Sequence, residues 1–393
     1  PSVEDSPKPK GDCDSFRGVL LPGSNFTPVN SRSAGSTTCS SSKASCLIGA
    51  APDAVQTMLA VVKAFGYGSD AVEIAKCLVA QGVDYLGVAY VHEGVALRKA
   101  GITTPILVLH PQLPNLDALI EYKLEPSVYG QRILNALLSK IKESNVSHYP
   151  VHLKFNTGLN RLGFDPKDAT ALLALFKDNA LWLLLQGVYS HLAASDDEGE
   201  NAFTKKQLKT FSVIVGVFSS AHPKTTFHVL NTSGVLHFPE SQYNMVRTGI
   251  SLYGYGNHPS VDVQLKPVLR LRTVISQIHT LEEGDTLGYN RAFVAKAKTK
   301  TATLPLGHAD GIGRIYGNGK GYVMINGQQA SIVGNVCMDM IMVDVTNIDC
   351  QAGDTVIVIG PDASAEELAN AAGTISYELI TGLSQRIQRK IIS

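Results

Sequence analysis

The feature that most constrains the fold is a series of eight short apolar runs, separated by amphipathic stretches. The runs are LAVVKA (59–64), YLGVAY (85–90), PILVLH (105–110), PSVYG (126–130), VHLKFN (151–156), LQGVYSHL (185–192), FHVLN (227–231) and MVRTG (245–249). Intervening stretches such as AVEIAKCLVAQG and NAFTKKQLKTFSVIVGVFSSA repeat apolar residues every three or four positions, which indicates helices. Strands that alternate with helices in this way predict an α/β fold, a closed (β/α)8 barrel of the TIM type.

The segments before and after this region differ from it in composition and periodicity. Residues 1–56 are rich in Ser, Thr and Pro and sustain no helical or strand period, so we expect an atypical N-terminal segment. After about Gly256, alternating segments such as RLRTVISQIHTL are broken by Gly-containing turns, which predicts a mostly β domain. One helix, SAEELANAAG, is expected within it, with Ser364 as its N-cap. The predicted division is 1–56, a barrel at 57–258 and a mostly β C-terminal domain at 259–393.

Charge and composition exclude several classes of partner. Lys plus Arg and Asp plus Glu both number 34, and no basic block suggests a nucleic acid or a membrane surface, so the expected ligand is a small molecule. No apolar run approaches the roughly 20 residues that span a bilayer. The first twelve residues, PSVEDSPKPKGD, lack the apolar core of a secretory signal. Together these features predict a cytoplasmic location. The six cysteines have no CxxC spacing, so we expect no metal site and reduced thiols.

The ends of the predicted strands carry polar side chains, and active sites of such barrels lie at the carboxyl ends of the strands. Lys63 ends the first strand, His191 the sixth and Arg247 the eighth. A lysine in this position is neutralised by its surroundings, used covalently or directed to solvent. The residue types alone do not decide between these three interpretations. The N–H groups near Gly249, with the hydroxyl of Thr232, predict a phosphate site, although a turn glycine and a helix cap are the alternatives.

Several longer segments carry a resemblance. AVVKAFGYGSD resembles the pyridoxal-phosphate lysine motif of the alanine racemase family, which consists of fold-type III enzymes. The likeness continues in family order through KFNTGLNRLGF (154–164), SHLAASDDE (190–198), LNTSGVLHFPE (230–240), MVRTGISLYG (245–254), LGYNRAF (287–293), LPLGHADGIGR (304–314), VGNVCMDMIMVDVT (333–346) and TISYELITGLSQRIQR (374–389). The middle and C-terminal segments are most similar to racemases fused to a peptidoglycan-precursor ligase. The resemblance implies an isomerase that uses pyridoxal 5'-phosphate to convert L-alanine into D-alanine for peptidoglycan.

The resemblance also implies two opposed catalytic groups. Lys63 matches the lysine that carries the cofactor and moves a proton on one face of Cα, and Tyr289 matches the tyrosine that serves the other face. Racemisation requires this opposition, because the proton must leave one face and arrive at the other. Arg247 matches an arginine that contacts the pyridine nitrogen, and His191 matches a histidine near the hydrogen-bond network of the tyrosine.

The remaining implied contacts fall into two groups. The cofactor contacts are Lys63, Tyr67, Arg161, His191, Asn231, Thr232, Arg247, Gly249, Ile250 and Tyr377. The substrate contacts are Arg161, Met338 and Tyr289. Lys154 matches a lysine that is carbamylated in some members and orients Arg161. The family forms head-to-tail homodimers in which the second domain of one subunit completes the barrel site of the other, which implies that Tyr289 and Met338 act in trans.

Three departures from the family pattern keep alternatives open. His308 stands where the family usually has tyrosine, Asn156 replaces an expected aspartate, and residues 1–56 lack the usual opening strand and helix. The change at His308 leaves open a racemase for serine or for a broader set of amino acids. A second alternative is a non-catalytic pyridoxal-phosphate carrier, against which Tyr289 and the β domain argue. A third is a fold-related decarboxylase, against which Arg247 argues, since such enzymes place an acidic residue at the pyridine nitrogen.

Overall fold

The computed structural model describes residues 57–256, 262 and 265–390. The predicted N-terminal segment, 1–56, lies outside the described residues. Within the described chain, no helix is long and apolar enough to cross a membrane.

The first sheet consists of eight parallel strands. They are β1 (Thr57–Val61), β2 (Tyr85–Val88), β3 (Ile106–Val108), β4 (Glu125–Val128), β5 (Tyr149–Lys154), β6 (Leu183–Tyr189), β7 (Thr226–His228) and β8 (Met245–Thr248). Each pairs with its neighbour in sequence from β1 to β7, and β8 pairs with β1. The Arg247 N–H donates to the Leu230 carbonyl at 3.1 Å, which joins β8 to the residues that follow β7. All eight predicted strands are present, and the TIM-like α/β architecture is confirmed.

Helices connect these strands, and their apolar faces cover the sheet. They are α1 (Ala71–Ala80), α2 (Val91–Lys99), α3 (Leu116–Glu121), α4 (Gln131–Glu143), α5 (Ala169–Asp178), α6 (Asn201–Ser219) and α7 (Thr232–His237). Helix α1 begins because the Asp70 carboxylate accepts from the N–H groups of Val72 and Glu73 at 3.0 and 3.1 Å. Both helices named in the sequence prediction, α1 and α6, are confirmed.

The second unit is antiparallel, and its strands are β9 (Leu271–Val274), β10 (Gln277–Leu281), β11 (Thr286–Leu287), β12 (Phe293–Val294), β13 (Thr299–Leu304), β14 (Tyr322–Ile325), β15 (Gln328–Val333), β16 (Ile341–Asp344) and β17 (Thr355–Ile359). Seven of them form one sheet in the order β10-β13-β16-β15-β14-β17-β9, and β11 pairs with β12 in a separate hairpin. Its helices are α8 (Ala365–Ala371) and α9 (Ser376–Thr381). The Ser364 cap of α8 is confirmed by its bond from the Glu366 N–H at 3.2 Å. The prediction of a single helix was wrong, because α9 is too short to show a sustained period.

Lys63 lies beyond the end of its strand. The predicted strand 59–64 ends at Val61, and Lys63–Gly68 forms a left-handed turn with φ of 54° at Ala64 and 52° at Tyr67. Non-glycine residues rarely adopt this conformation, so tertiary contacts must hold it. Arg389 supplies one such contact by donating to the Gly68 carbonyl at 2.7 Å. The prediction that Lys63 ends the first strand was therefore wrong. The turn directs the chain away from β1 before α1 begins.

The cysteine prediction needs one correction. Cys337 and Cys350 are free thiols, as expected, whereas Cys77 is disulfide-bonded. Which thiols meet depends on distances in the folded chain, and spacing along the sequence does not report these. Among the described residues, no group of three or more His, Cys, Asp or Glu side chains could hold a metal ion.

Candidate active site

A cavity of about 530 Å³ opens at the carboxyl ends of the barrel strands. It brings together most of the residues that the sequence predicted for the site. These are Lys63, Tyr67, Lys154, Arg161, His191, Asn231, Thr232, Arg247, Gly249 and Tyr377. Ile250 is buried directly behind Gly249, and Tyr289 and Met338 do not line this cavity.

Four cationic side chains converge on the cavity. Burial lowers the pKa of Lys63, and the Arg161 charge lowers it further. Burial is also the main reason that the pKa of Lys154 falls to about 8, with smaller contributions from the charges of Arg161, Arg247 and Lys63. Two amines that lose their protons more easily than usual, beside two permanent cations, suit an anionic ligand and a nucleophilic lysine.

Arg247 is held rigidly at the floor of the cavity. Its Nη1 donates to His228 Nδ1 at 2.8 Å and to the His228 carbonyl at 3.2 Å. Its Nη2 lies 2.8 Å from the Ser190 carbonyl, 3.0 Å from the Val229 carbonyl and 3.1 Å from His191 Nδ1. Among the described residues only Nε is left without an acceptor, although Arg247 lines the cavity. An N–H donor is thus available to a ligand atom that accepts a hydrogen bond.

The histidines around Arg247 are neutral bases. Burial, followed by the charge of Arg247, lowers the pKa of His191 and of His228 well below the usual value. An arginine can only donate, so the ring nitrogen that faces it in each histidine is an acceptor. The sequence prediction identified His191 but missed His228, which is buried on β7. The available signal was a histidine within an apolar strand, and this pattern is equally typical of a core residue.

Hydroxyl groups gather around Gly249, which also lines the cavity. The Tyr67 ring stacks on Tyr253 with centroids 4.5 Å apart, and Tyr377 approaches it at 6.0 Å. Thr232 Oγ1 lies 3.3 Å from Ser251 Oγ and accepts from the Gly249 N–H at 3.4 Å. A Cβ on Gly249 would lie 2.5 Å from the Tyr67 hydroxyl, so any larger residue here would require Tyr67 to move. Neutral O–H and N–H donors around a small gap are suited to a phosphate group.

The predicted acid Tyr289 and the predicted substrate contact Met338 face outward. Their exposed fractions are 70% and 59%, respectively. Asn335 Nδ2 donates to the Tyr289 carbonyl at 3.0 Å, and the Ala309 N–H donates to the Met338 carbonyl at 3.0 Å. Asn335 and Met338 belong to the same loop, between β15 and β16. His308 belongs to this face as well, because its N–H donates to the Cys337 carbonyl at 3.0 Å.

Asn156 has a clear local role. Its Oδ1 accepts from the N–H groups of Gly158 at 3.1 Å and Asn160 at 2.9 Å. Its Nδ2 donates to Asn160 Oδ1 at 2.8 Å. The amide thus shapes the loop that leads to Arg161 without placing a negative charge beside the cationic cavity.

Comparison with known proteins identifies the family. Residues 46–257 match the family model described as alanine racemase, N-terminal domain, and residues 268–391 match that for the C-terminal domain. This chain belongs to the alanine racemase family. It is 38% identical to the alanine racemase of Treponema denticola over 345 residues, which cover 84% of this chain and 90% of that protein. Members of the family are fold-type III isomerases that depend on pyridoxal phosphate.

Solved structures of family members have the same fold. An alanine racemase of Clostridium difficile 630 superposes with a TM-score of 0.80 at 32% identity, covering 88% of this chain and 92% of that one. An alanine racemase from Streptomyces lavendulae, a producer of D-cycloserine, gives 0.82 at 29% identity, covering 90% and 94%. The similarity to racemases fused to a ligase stays a prediction.

The donor set of the cavity fits the family cofactor. The low-pKa amine of Lys63 suits a covalent link to an aldehyde, and the hydroxyl cluster around Gly249 suits a phosphate. The open Nε of Arg247 suits an unprotonated ring nitrogen, because such a nitrogen accepts a hydrogen bond.

Proposed function

We propose that this chain interconverts L- and D-alanine by a two-base mechanism in which Lys63 and Tyr289 act on opposite faces of the substrate. The observation that carries the proposal is the convergence of Lys63, Arg247 and the hydroxyl cluster on one cavity of an alanine racemase fold. A cytoplasmic location and a supply of D-alanine for peptidoglycan belong to the same proposal.

Lys63 is suited to moving the proton at the substrate Cα. When bound, pyridoxal phosphate withdraws electrons from Cα and makes its proton acidic. The lowered pKa of Lys63 makes its amine easier to deprotonate than that of a free lysine, which suits a group that accepts this proton and returns it. Arg247 would donate an N–H to the ring nitrogen and so leave it unprotonated, which would limit electron withdrawal and disfavour side reactions. Arg161, also in the cavity, is placed to hold the substrate carboxylate.

The second base comes from a partner subunit in this proposal. Tyr289 and Met338 lie exposed and outside the cavity, so neither serves the barrel of its own chain in this conformation. A homodimer of head-to-tail subunits brings Tyr289 over the barrel site of the partner. Several apolar side chains at 40% exposure or more support burial of this region in an interface, namely Met338, Met340, Val294 and Ile315.

Lys154 is proposed to carry a carbamate. Its amine reacts with CO2 to give a lysine carbamate and a proton, and the lowered pKa of about 8 supplies the neutral amine that the reaction needs. The new negative charge would compensate Arg161 and Arg247. We expect protein equilibrated with 13C-bicarbonate to show a carbamate carbon signal that disappears in Lys154→Gln and on acidification, since acid releases CO2. Lys76→Gln, at an exposed site, is the control, and a signal that survives Lys154→Gln contradicts the assignment.

Gly249→Ala tests the phosphate end of the cavity. The added Cβ would lie 2.5 Å from the hydroxyl of Tyr67, whose ring is stacked on Tyr253, so the tyrosine must shift to admit the methyl group. Overpacking of this kind costs about 1–3 kcal/mol, so the Kd for pyridoxal phosphate should rise about 10- to 100-fold. Fluorescence titration measures the change. Gly216→Ala adds the same methyl group in open space on α6 and should leave Kd unchanged.

Chiral chromatography of product tests the function itself. The purified protein with pyridoxal phosphate is incubated separately with L-alanine, D-alanine and L-serine. We expect the alanine enantiomers to interconvert faster than serine is racemised. A serine preference would favour the broader racemase suggested by His308, and bound cofactor without any product from either amino acid would favour the carrier alternative.

A further inference from the structure

A chain of buried polar side chains runs through the barrel from β4 to Arg247. Glu125 Oε2 lies 2.8 Å from His152 Nε2, and His152 Nδ1 lies 3.4 Å from His228 Nε2. The chain ends where Arg247 Nη1 meets His228 Nδ1 at 2.8 Å. Both histidines have no exposed surface, and 9% of Glu125 is exposed. These four residues come from β4, β5, β7 and β8, and three of them lie outside the residues to which the sequence assigned roles.

The hydrogen-bond inventory permits one arrangement of protons along this chain. Arg247 has only donors, so His228 Nδ1 carries no proton and its proton lies on Nε2. That proton points at His152 Nδ1, which must therefore accept and leave the proton of His152 on Nε2. His152 then donates to the Glu125 carboxylate. Each step follows from the one before, and both imidazoles are neutral.

Two other polar side chains, Tyr85 and Arg98, lie near the Glu125 end of the chain. Burial raises the pKa of Tyr85, and the neighbouring charge of Glu125 raises it further, so the tyrosine keeps its proton. Arg98 lies in the same region, but its guanidinium donates to backbone carbonyls, including those of Ile102 and Thr104 at 2.9 and 2.7 Å. Among the described residues, His152 is the ion-pair partner found for Glu125.

We propose that Glu125, His152 and His228 are positioning residues that fix the orientation of the Arg247 guanidinium by setting the tautomers of the two histidines. If His228 carried its proton on Nδ1, that N–H would oppose the Nη1 donor of Arg247 and displace the guanidinium. The inference deepens the proposed function and rests on it, because a fixed guanidinium would keep Nε available to the ring nitrogen of the cofactor. The tautomers themselves are properties of the protein alone.

Nitrogen NMR of the full-length holoenzyme labelled with 15N-histidine measures the tautomers directly. Signals are assigned with His152→Gln and His228→Gln. We expect the proton on Nε2 in both rings, since His228 Nδ1 faces the Arg247 donor and His152 Nδ1 faces the His228 N–H. A charged ring or an Nδ1 proton at either position would overturn the proposal, and this measurement requires no altered carboxylate.

Variants at Glu125 test the effect on Arg247. Glu125→Leu removes the acceptor and should give mixed tautomers at His228, whereas Glu125→Gln keeps an acceptor oxygen and should restore the wild-type signals. A supporting layer of hydrogen bonds is typically worth about 10- to 100-fold in activity at metal sites, so kcat should fall at least about 10-fold in the Leu variant with little change in KM. Glu121→Leu alters an exposed carboxylate nearby and is the control.

The outcomes separate this inference from the proposed function. If the wild-type protein shows the expected tautomers but does not racemise alanine, the proposed function is contradicted and the proposed chain of hydrogen bonds is not. Active wild-type enzyme whose His228 signals are unchanged in Glu125→Leu would overturn the role of Glu125.

Discussion

Replacement of Lys63 by alanine is expected to reduce alanine racemisation about 1,000-fold or more, because one side chain supplies both the covalent link and a base. The amine lies in the cavity with a lowered pKa, so no neighbouring group of the same kind replaces it without rearrangement. Initial rates from both enantiomers, followed by chiral chromatography, give the effect in each direction. The visible absorption of the bound cofactor should change at the same time.

The control is Lys76→Ala, which removes an exposed lysine from the helix that follows the Lys63–Gly68 turn. Its rates should equal those of the wild type. Retention of more than about one tenth of the activity in Lys63→Ala would contradict the role of Lys63, since loss of a catalytic base costs about 100-fold or more. Lys154, the second buried amine, would then be the next residue to test.

Tyr289→Phe is expected to lower racemisation about 100- to 10,000-fold in both directions, because the hydroxyl that serves the second face of Cα is lost. The side chain is 70% exposed, so the substitution should not alter the free energy of unfolding of the subunit. Equal losses from L- and D-alanine are required by the overall equilibrium, which an enzyme does not change. Tyr322→Phe, at a hydroxyl that bonds Glu367, is the matched control.

Mixing the two inactive variants tests whether the site is shared. In a dimer of one Lys63→Ala subunit and one Tyr289→Phe subunit, one site has both residues and the other has neither. Random exchange at equal concentrations should therefore restore about one quarter of wild-type activity, because half of the dimers are mixed and each has one complete site. Unchanged inactivity after subunit exchange, verified with differently tagged chains, would contradict action in trans.

The strand and helix order could be predicted because it depends on local periodicity. Residues of one face recur every second position in a strand and every third or fourth in a helix, and this pattern is visible in any window of the chain. The same is true of the Ser364 cap and of motif segments such as the one around Lys63, whose similarity to the alanine racemase family is confirmed. Ten of the predicted residues also line one cavity, as the rule that barrel sites lie at the carboxyl ends of strands implies.

The sequence by itself determined the fold class, the family and the inventory of chemical groups. Only the tertiary structure decided how those groups are held. The left-handed turn that begins at Lys63 receives a contact at Gly68 from Arg389, 321 positions further along the chain. The Glu125–His152–His228–Arg247 chain joins four separate strands. The outward position of Tyr289 likewise follows from the packing of the second sheet. The physical reason is that tautomers, lowered pKa values and exposure are set by neighbours in space, and periodicity along the chain carries no information about these neighbours.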